Sequence, residues 1–145
     1  MIIDTSALLA IVFDEPDGPE LLRLVAEAPT RLMSSANALE AWIVADRHEN
    51  PAKAPALDEL LETLGIDLEP VSIQHARIAR QAYQIYGKGK HPAGLNYGDA
   101  FAYALAKATG QPLLFKGDDF SQTDIEAVPR DESRLEPAQE NIRPI

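Results

Sequence analysis

The sequence predicts an α/β domain with a central, mainly parallel sheet and helices on both faces. Short apolar runs of strand length (MII, TRLM, PLLF) alternate along the chain with longer stretches whose apolar residues recur at helical spacing. The 145 residues, 46% of them hydrophobic, suffice for one core in one domain.

Met1–Asp4 reads as a short buried strand ending at a carboxylate, where Asp4 is placed to cap a following helix. In Gly18–Ala28, residues Leu21, Leu22 and Val25 share a helical face, and Pro29 closes the segment. Thr30–Met33 is a second strand. Ser34 or Ser35 then caps a helix running to about His48. Apolar side chains surround that helix nearly all round, so it is expected to be largely buried. Pro51 and Pro55 bracket a loop, and Ala56–Leu64 is a helix stopped by Gly65. Ile66–Val71 is a third strand. Ser72 caps a longer helix that ends at Gly87. The run GKGKHPAGLNYG is a loop by its glycine and proline content. Asp99–Thr109 is a strongly apolar helix with Gly110 at its C-cap. Pro112–Phe115 is a fourth strand, and Ile125–Val128 a candidate edge strand. Residues 1–128 are expected to form the domain and 129–145 an irregular tail.

The absence of cysteine excludes disulfides, thiolate metal sites and a cysteine nucleophile. MIIDTSALLAIVF has no basic leader and is interrupted by Asp4, so it does not read as a signal peptide. No apolar run is long enough to span a membrane, and a cytoplasmic location is expected. The net charge of -10 argues against indiscriminate nucleic-acid binding. Yet between residues 76 and 116 stand Arg77, Arg80, Lys88, Lys90, Lys107 and Lys116, with Asp99 as the lone acid.

Ligands of parallel sheets bind beyond the carboxyl ends of the strands. Asp4 and the Lys116–Asp119 group lie at such ends. Asp4 serves equally as a helix cap. Glu40 sits in ANALEAWIVA, where a lone carboxylate is costly without a cation or donors. Asp99 stands three residues after Asn96, where a helix dipole or a capping box would also welcome it. Asp118 and Asp119, each alone, suit a turn. If the sheet is parallel, these acids can converge, repel one another and raise each other's pKa. A hard divalent cation resolves that conflict, and an oxygen-only ligand set favours Mg²⁺ or Mn²⁺. Such an ion suits phosphoryl chemistry. Lys88, Lys90 and His91 in the glycine-rich loop, with Lys116 opposite, are then candidate phosphate contacts. Arg77 and Lys107 read as solvated helix faces. His48, His75 and His91 are too scattered for a metal triad.

The segments MIIDTSAL, ALEAWIVADR, YGKGKHPAGLNYGDAFAYALAK and PLLFKGDDFSQTDI, in this order over about residues 1–126, closely resemble the PIN-domain ribonucleases, specifically VapC-type toxins of toxin–antitoxin pairs. The resemblance implies a PIN-like three-layer α/β/α sandwich. It also implies an endoribonuclease dependent on Mg²⁺, or Mn²⁺ in its place, that cleaves structured RNA (tRNA or rRNA) and inhibits translation. A homodimer and a VapB-type antitoxin partner follow from the same source. Asp4, Glu40 and Asp99 match the family's metal-site acids. Asp118 and Asp119 both suit the fourth position, with Asp119 preferred. Ser6 matches a hydroxyl beside the first acid, and Asn96 a polar position ahead of the third. Ala127–Ile145 has no clear counterpart.

Two other classes compete. A catalytically silent PIN-like module would bind metal and a partner protein without turnover. A haloacid-dehalogenase-type phosphatase would want a second Asp where Ser6 stands. Exposed loops and unpaired RNA reach a narrow acidic cleft more easily than a rigid duplex does.

Overall fold

A computed structural model describes residues 1–131; the expected tail lies almost wholly outside the described residues. The elements run β1 (Ile2–Ile3), α1 (Thr5–Val12), α2 (Gly18–Glu27), β2 (Leu32–Ser34), α3 (Ser35–Asp46), α4 (Lys53–Thr63), β3 (Asp67–Glu69), α5 (Ile73–Tyr86), α6 (Tyr97–Thr109) and β4 (Leu113–Leu114). The four strands are all parallel, in the order β3-β2-β1-β4. Ile2 stands opposite both Leu32 and Leu113, and Ile3 opposite Leu114.

Strand alternation sends successive side chains to opposite faces. Ile3, Met33 and Leu114 enter a core built with α1, α2, α3 and α4. Ile2, Leu32 and Leu113 enter a second core built with α5 and α6, including Ala82, Ala102 and Leu105. The sheet is therefore covered on both faces, which gives the expected three layers. From β1 the chain moves to β2 and β3 on one side, and β4 returns to the other side of β1. The order reverses between β1 and β4, and the ends of those strands present Asp4 and Lys116.

The structure departs from expectation at several places. The stretch after Asp4 forms α1, a whole helix whose bounds the sequence left undrawn. Helix α4 begins at Lys53, so Pro55 lies within its first turn, where a missing N–H costs nothing. The candidate edge strand shrinks to one parallel bridge, Leu113 to Ala127, with Leu113 N donating to Glu126 O at 2.9 Å. Ser34 occupies the N-cap position of α3, but its side chain makes no cap hydrogen bond. Helix α3 is not buried all round. Its Ala38, Ala41 and Ala45 side packs inward, while Leu39 is 55% and Ile43 43% exposed. Small alanines pack closely on the core and leave the larger side chains on the outer flank. Among the described residues no helix is long and apolar enough to cross a membrane.

Candidate active site

Asp4 holds both of its roles at once. It ends β1 and caps α1, its Oδ2 accepting from Ser6 N at 3.0 Å and Ser6 Oγ at 2.5 Å. It is only 4% exposed. Burial raises its carboxyl to about 6, against the opposing hydrogen bonds of Ser6 and with the charge of Glu40 adding to the rise. Ser6 Oγ also accepts from Lys116 N at 3.0 Å, which ties the chain leaving β4 to the start of α1.

Asp99 is the N3 residue of α6. Asn96 Oδ1 accepts from Asp99 N at 2.9 Å, and Asp99 Oδ2 accepts from Asn96 N at 3.0 Å, a complete capping box. The box fixes the carboxylate's direction, and Asp99 remains buried. Burial raises its carboxyl to about 7; the charges of Asp4, Asp119 and Glu40 add to the rise, and the Asn96 backbone bond opposes it.

Glu40 reaches the same place from α3. Its carboxylate lies against Gly98, where any β-carbon would collide with it. Of the two candidates for the fourth acid, Asp119 is the one whose charge acts on Asp99. Asp118 instead forms a turn, its carbonyl accepting from Ser121 N at 3.1 Å and Ser121 Oγ at 2.6 Å. Four carboxylates distant in sequence are thus electrostatic neighbours. Among the described residues no Lys or Arg forms an ion pair with Asp4, Glu40, Asp99 or Asp119.

The donor set is that of a hard divalent cation: oxygens only, with excess negative charge and, among the described residues, no paired Lys or Arg. Among the described residues no three of these side chains stand close enough to form a closed ligand shell. Mg²⁺ keeps several waters and takes one or two carboxylates directly, so the acids fit such an ion through a partly hydrated shell.

The expected phosphate contacts divide. Lys116 is not free: its ammonium pairs with Glu15, and with Asp17 at 3.3 Å. These acids hold its pKa above the usual lysine value. Lys88 and Lys90 are exposed on the loop between α5 and α6. That loop is closed at its base, where Lys88 N donates to Leu95 O and Leu95 N to Tyr86 O, each at 2.9 Å. His91 is committed to the loop, its Nδ1 accepting from Ala93 N at 3.0 Å and its ring meeting Tyr86 edge-on. Lys107, expected to be merely solvated, pairs with Asp124 at 2.5 Å.

Two residues at the site escaped the sequence reading. Asn37 is fully buried, its Nδ2 donating to Gly98 O at 2.9 Å. Gly98 is needed for Glu40's approach. The available signals were an amide in an apolar helix one turn before Glu40 and a glycine directly ahead of Asp99.

The PIN-domain family profile matches residues 1–126, a span that contains all four acids. A protein named Ribonuclease VapC from Mycolicibacterium smegmatis is 52% identical over 128 residues, covering 88% of this chain and 99% of that protein. The chain belongs to the PIN-domain family, among the VapC ribonucleases. The PIN fold is matched in solved structures as well. VapC20 of Mycobacterium tuberculosis, described as a sarcin-ricin loop cleaving toxin, superposes with a TM-score of 0.70 at 18% identity, over 88% of this chain and 97% of that one. A toxin–antitoxin complex from Klebsiella pneumoniae gives 0.66 at 18% identity, over 90% and 98%.

Proposed function

We propose that this PIN domain is an Mg²⁺-dependent endoribonuclease, with Mn²⁺ as a substitute ion, and the toxin of a VapB–VapC-type pair. Its substrate is structured RNA, tRNA or rRNA, and its effect is to inhibit translation. The observation that carries the reading is the buried acid group: Asp4 and Asp99 both have raised pKa values, and among the described residues neither pairs with a Lys or Arg. Four carboxylates are assembled against their own repulsion, which marks a function beyond packing. The names of the similar proteins supply the reaction class.

Each residue then has a role. Asp4, Glu40, Asp99 and Asp119 hold the ion, and Asp118 contributes charge at the rim. Ser6 orients Asp4, and Asn96 orients Asp99. When bound, Mg²⁺ supplies Lewis acidity toward phosphate oxygens and water. Lys88 and Lys90 meet the RNA backbone from the loop, with His91 shaping that loop. Lys116 acts through Glu15 and Asp17 rather than as a free clamp.

A carboxylate group that no Lys or Arg of the described residues pairs with suits the Arg or Lys of an antitoxin segment, and a toxin–antitoxin complex is among the folds this chain resembles. The exposed flank of α3 (Leu39, Ile43 and Val44) meets Tyr97 and Phe101 of α6 around a groove of about 310 Å³. This apolar face supports the homodimer. Ile43→Glu is expected to halve the mass measured by light scattering.

The direct test sequences RNA ends after expression of the wild type and Asp99→Asn. Discrete new ends should appear with the wild type and vanish with the variant or with EDTA. Equal cleavage by the variant would reject the site. Metal and antitoxin binding without any new ends would favour the silent module.

A further inference from the structure

Asp4, Glu40 and Asp99 come from three different elements, so something must set their spacing. Their mutual repulsion favours separation, and among the described residues no Lys or Arg pairs with them to counter it. One residue, through its side chain and its backbone, connects all three supports. Asn37 lies one helical turn before Glu40 on α3. Its backbone carbonyl oxygen accepts from Thr5 Oγ1 at 3.1 Å, and Thr5 directly follows Asp4. Its side-chain Nδ2 donates to Gly98 O at 2.9 Å, and Gly98 directly precedes Asp99. Gly98 is also the residue against which Glu40's carboxylate rests. Asn37 is fully buried, and its Oδ1 has no partner among the described residues. A buried amide left half-satisfied is a poor choice for packing alone, since an apolar side chain would fill the volume without an orphaned oxygen.

We infer that Asn37 is a positioning residue, whose side chain pins the start of α6 to α3 at the point where its backbone carbonyl already holds α1, and which so sets the spacing of the three acids for their cation. It touches neither substrate nor reacting atoms. This inference rests on the metal-holding reading of the acids.

The test uses the full chain and Mn²⁺ alone, titrated calorimetrically at pH 7.5, alongside thermal unfolding without metal. Asn37→Ala is compared with Leu57→Ala, a fully buried core truncation in α4, which carries none of the acids. Loss of a residue that orients metal ligands typically weakens binding about 10- to 100-fold. Asn37→Ala should show a loss of that size, with kcat for RNA cleavage reduced more than KM is raised. Leu57→Ala should lower the unfolding temperature at least as much and bind Mn²⁺ like the wild type. Wild-type affinity in Asn37→Ala overturns the inference, as does an equal loss of affinity in Leu57→Ala. A wild type that binds no Mn²⁺ overturns the metal-holding reading itself, and the inference with it.

Discussion

Two acid clusters lie near the ends of β1 and β4, and they are handled in opposite ways. In the first, Asp17 and Glu20 receive Arg130 at 3.2 and 3.5 Å, while Glu15 and Asp17 receive Lys116. Every carboxylate there has a cation from the chain itself, and the buried Asp17 joins α2 to both β4 and the segment at Arg130. In the second, among the described residues, Asp4, Glu40, Asp99 and Asp119 form no ion pair, and the side-chain bonds of Asp4 and Asp99 go to Ser6 and Asn96. The residue types are the same. What differs is whether the fold supplies the countercharge, and a cluster the fold leaves uncompensated is the one poised for an ion from outside.

The contrast breaks most visibly at one residue in each cluster. Asp99→Asn should lower RNA cleavage by about a hundredfold or more, since even a residue that only orients metal ligands is worth about 10- to 100-fold. Its thermal stability should hold or rise, because a repelled charge has been removed. Asp17→Asn should do the reverse, losing about 2–3 kcal/mol of stability by denaturant titration as Arg130 and Lys116 are left underpaired. Cleavage below its unfolding temperature should persist. If both variants lose stability equally, the two clusters are not distinct.

Gly98→Ala sharpens the comparison within the second cluster. The new methyl would force Glu40's flexible side chain aside. Displacing a group at the chemistry by about 1 Å can cost up to about 100-fold in rate, so an activity loss of about tenfold with little change in unfolding temperature is expected.

pH separates the clusters more gently. In the metal-free fold Asp4 and Asp99 keep their protons up to about 6 and about 7, against an ordinary value of 3.8. The folded state therefore binds more protons than the unfolded state across this window, and these groups' contribution to stability falls as pH rises from about 4 to about 7. Thermal scans without metal should show the decline. Asp99→Asn should flatten it, and Mn²⁺ should offset it at pH 7.5. The smallest effect belongs to the loop: Lys88→Ala with Lys90→Ala should raise KM for RNA about two- to fivefold and reduce its salt dependence, leaving kcat unchanged.

Much of this was legible in one dimension. The alternation of apolar runs and helical periodicity identified the layered architecture, and the segments around Asp4, Glu40 and Asp99 identified the family. Asn96 three residues before Asp99 announced a capping box, which the structure contains. Lys116 was legible only as a cation. Its partners Glu15 and Asp17 lie about a hundred residues away, and no local pattern separates a free lysine from a paired one. The outer flank of α3 misled for a related reason. Composition says that a helix is apolar, but not which of its apolar faces finds a partner.

The sequence by itself determined which chemistry was possible, because residue types and local spacing decide caps, strands and the stock of oxygen ligands. Only the tertiary structure decided which acids are paired with a cation among the described residues, that Asp4, Glu40 and Asp119 lie near enough to raise the Asp99 carboxyl, and that Asn37 bonds to both Thr5 and Gly98. The reason is physical: burial and charge pairing are properties of neighbours in space, and a parallel sheet makes neighbours of residues far apart along the chain.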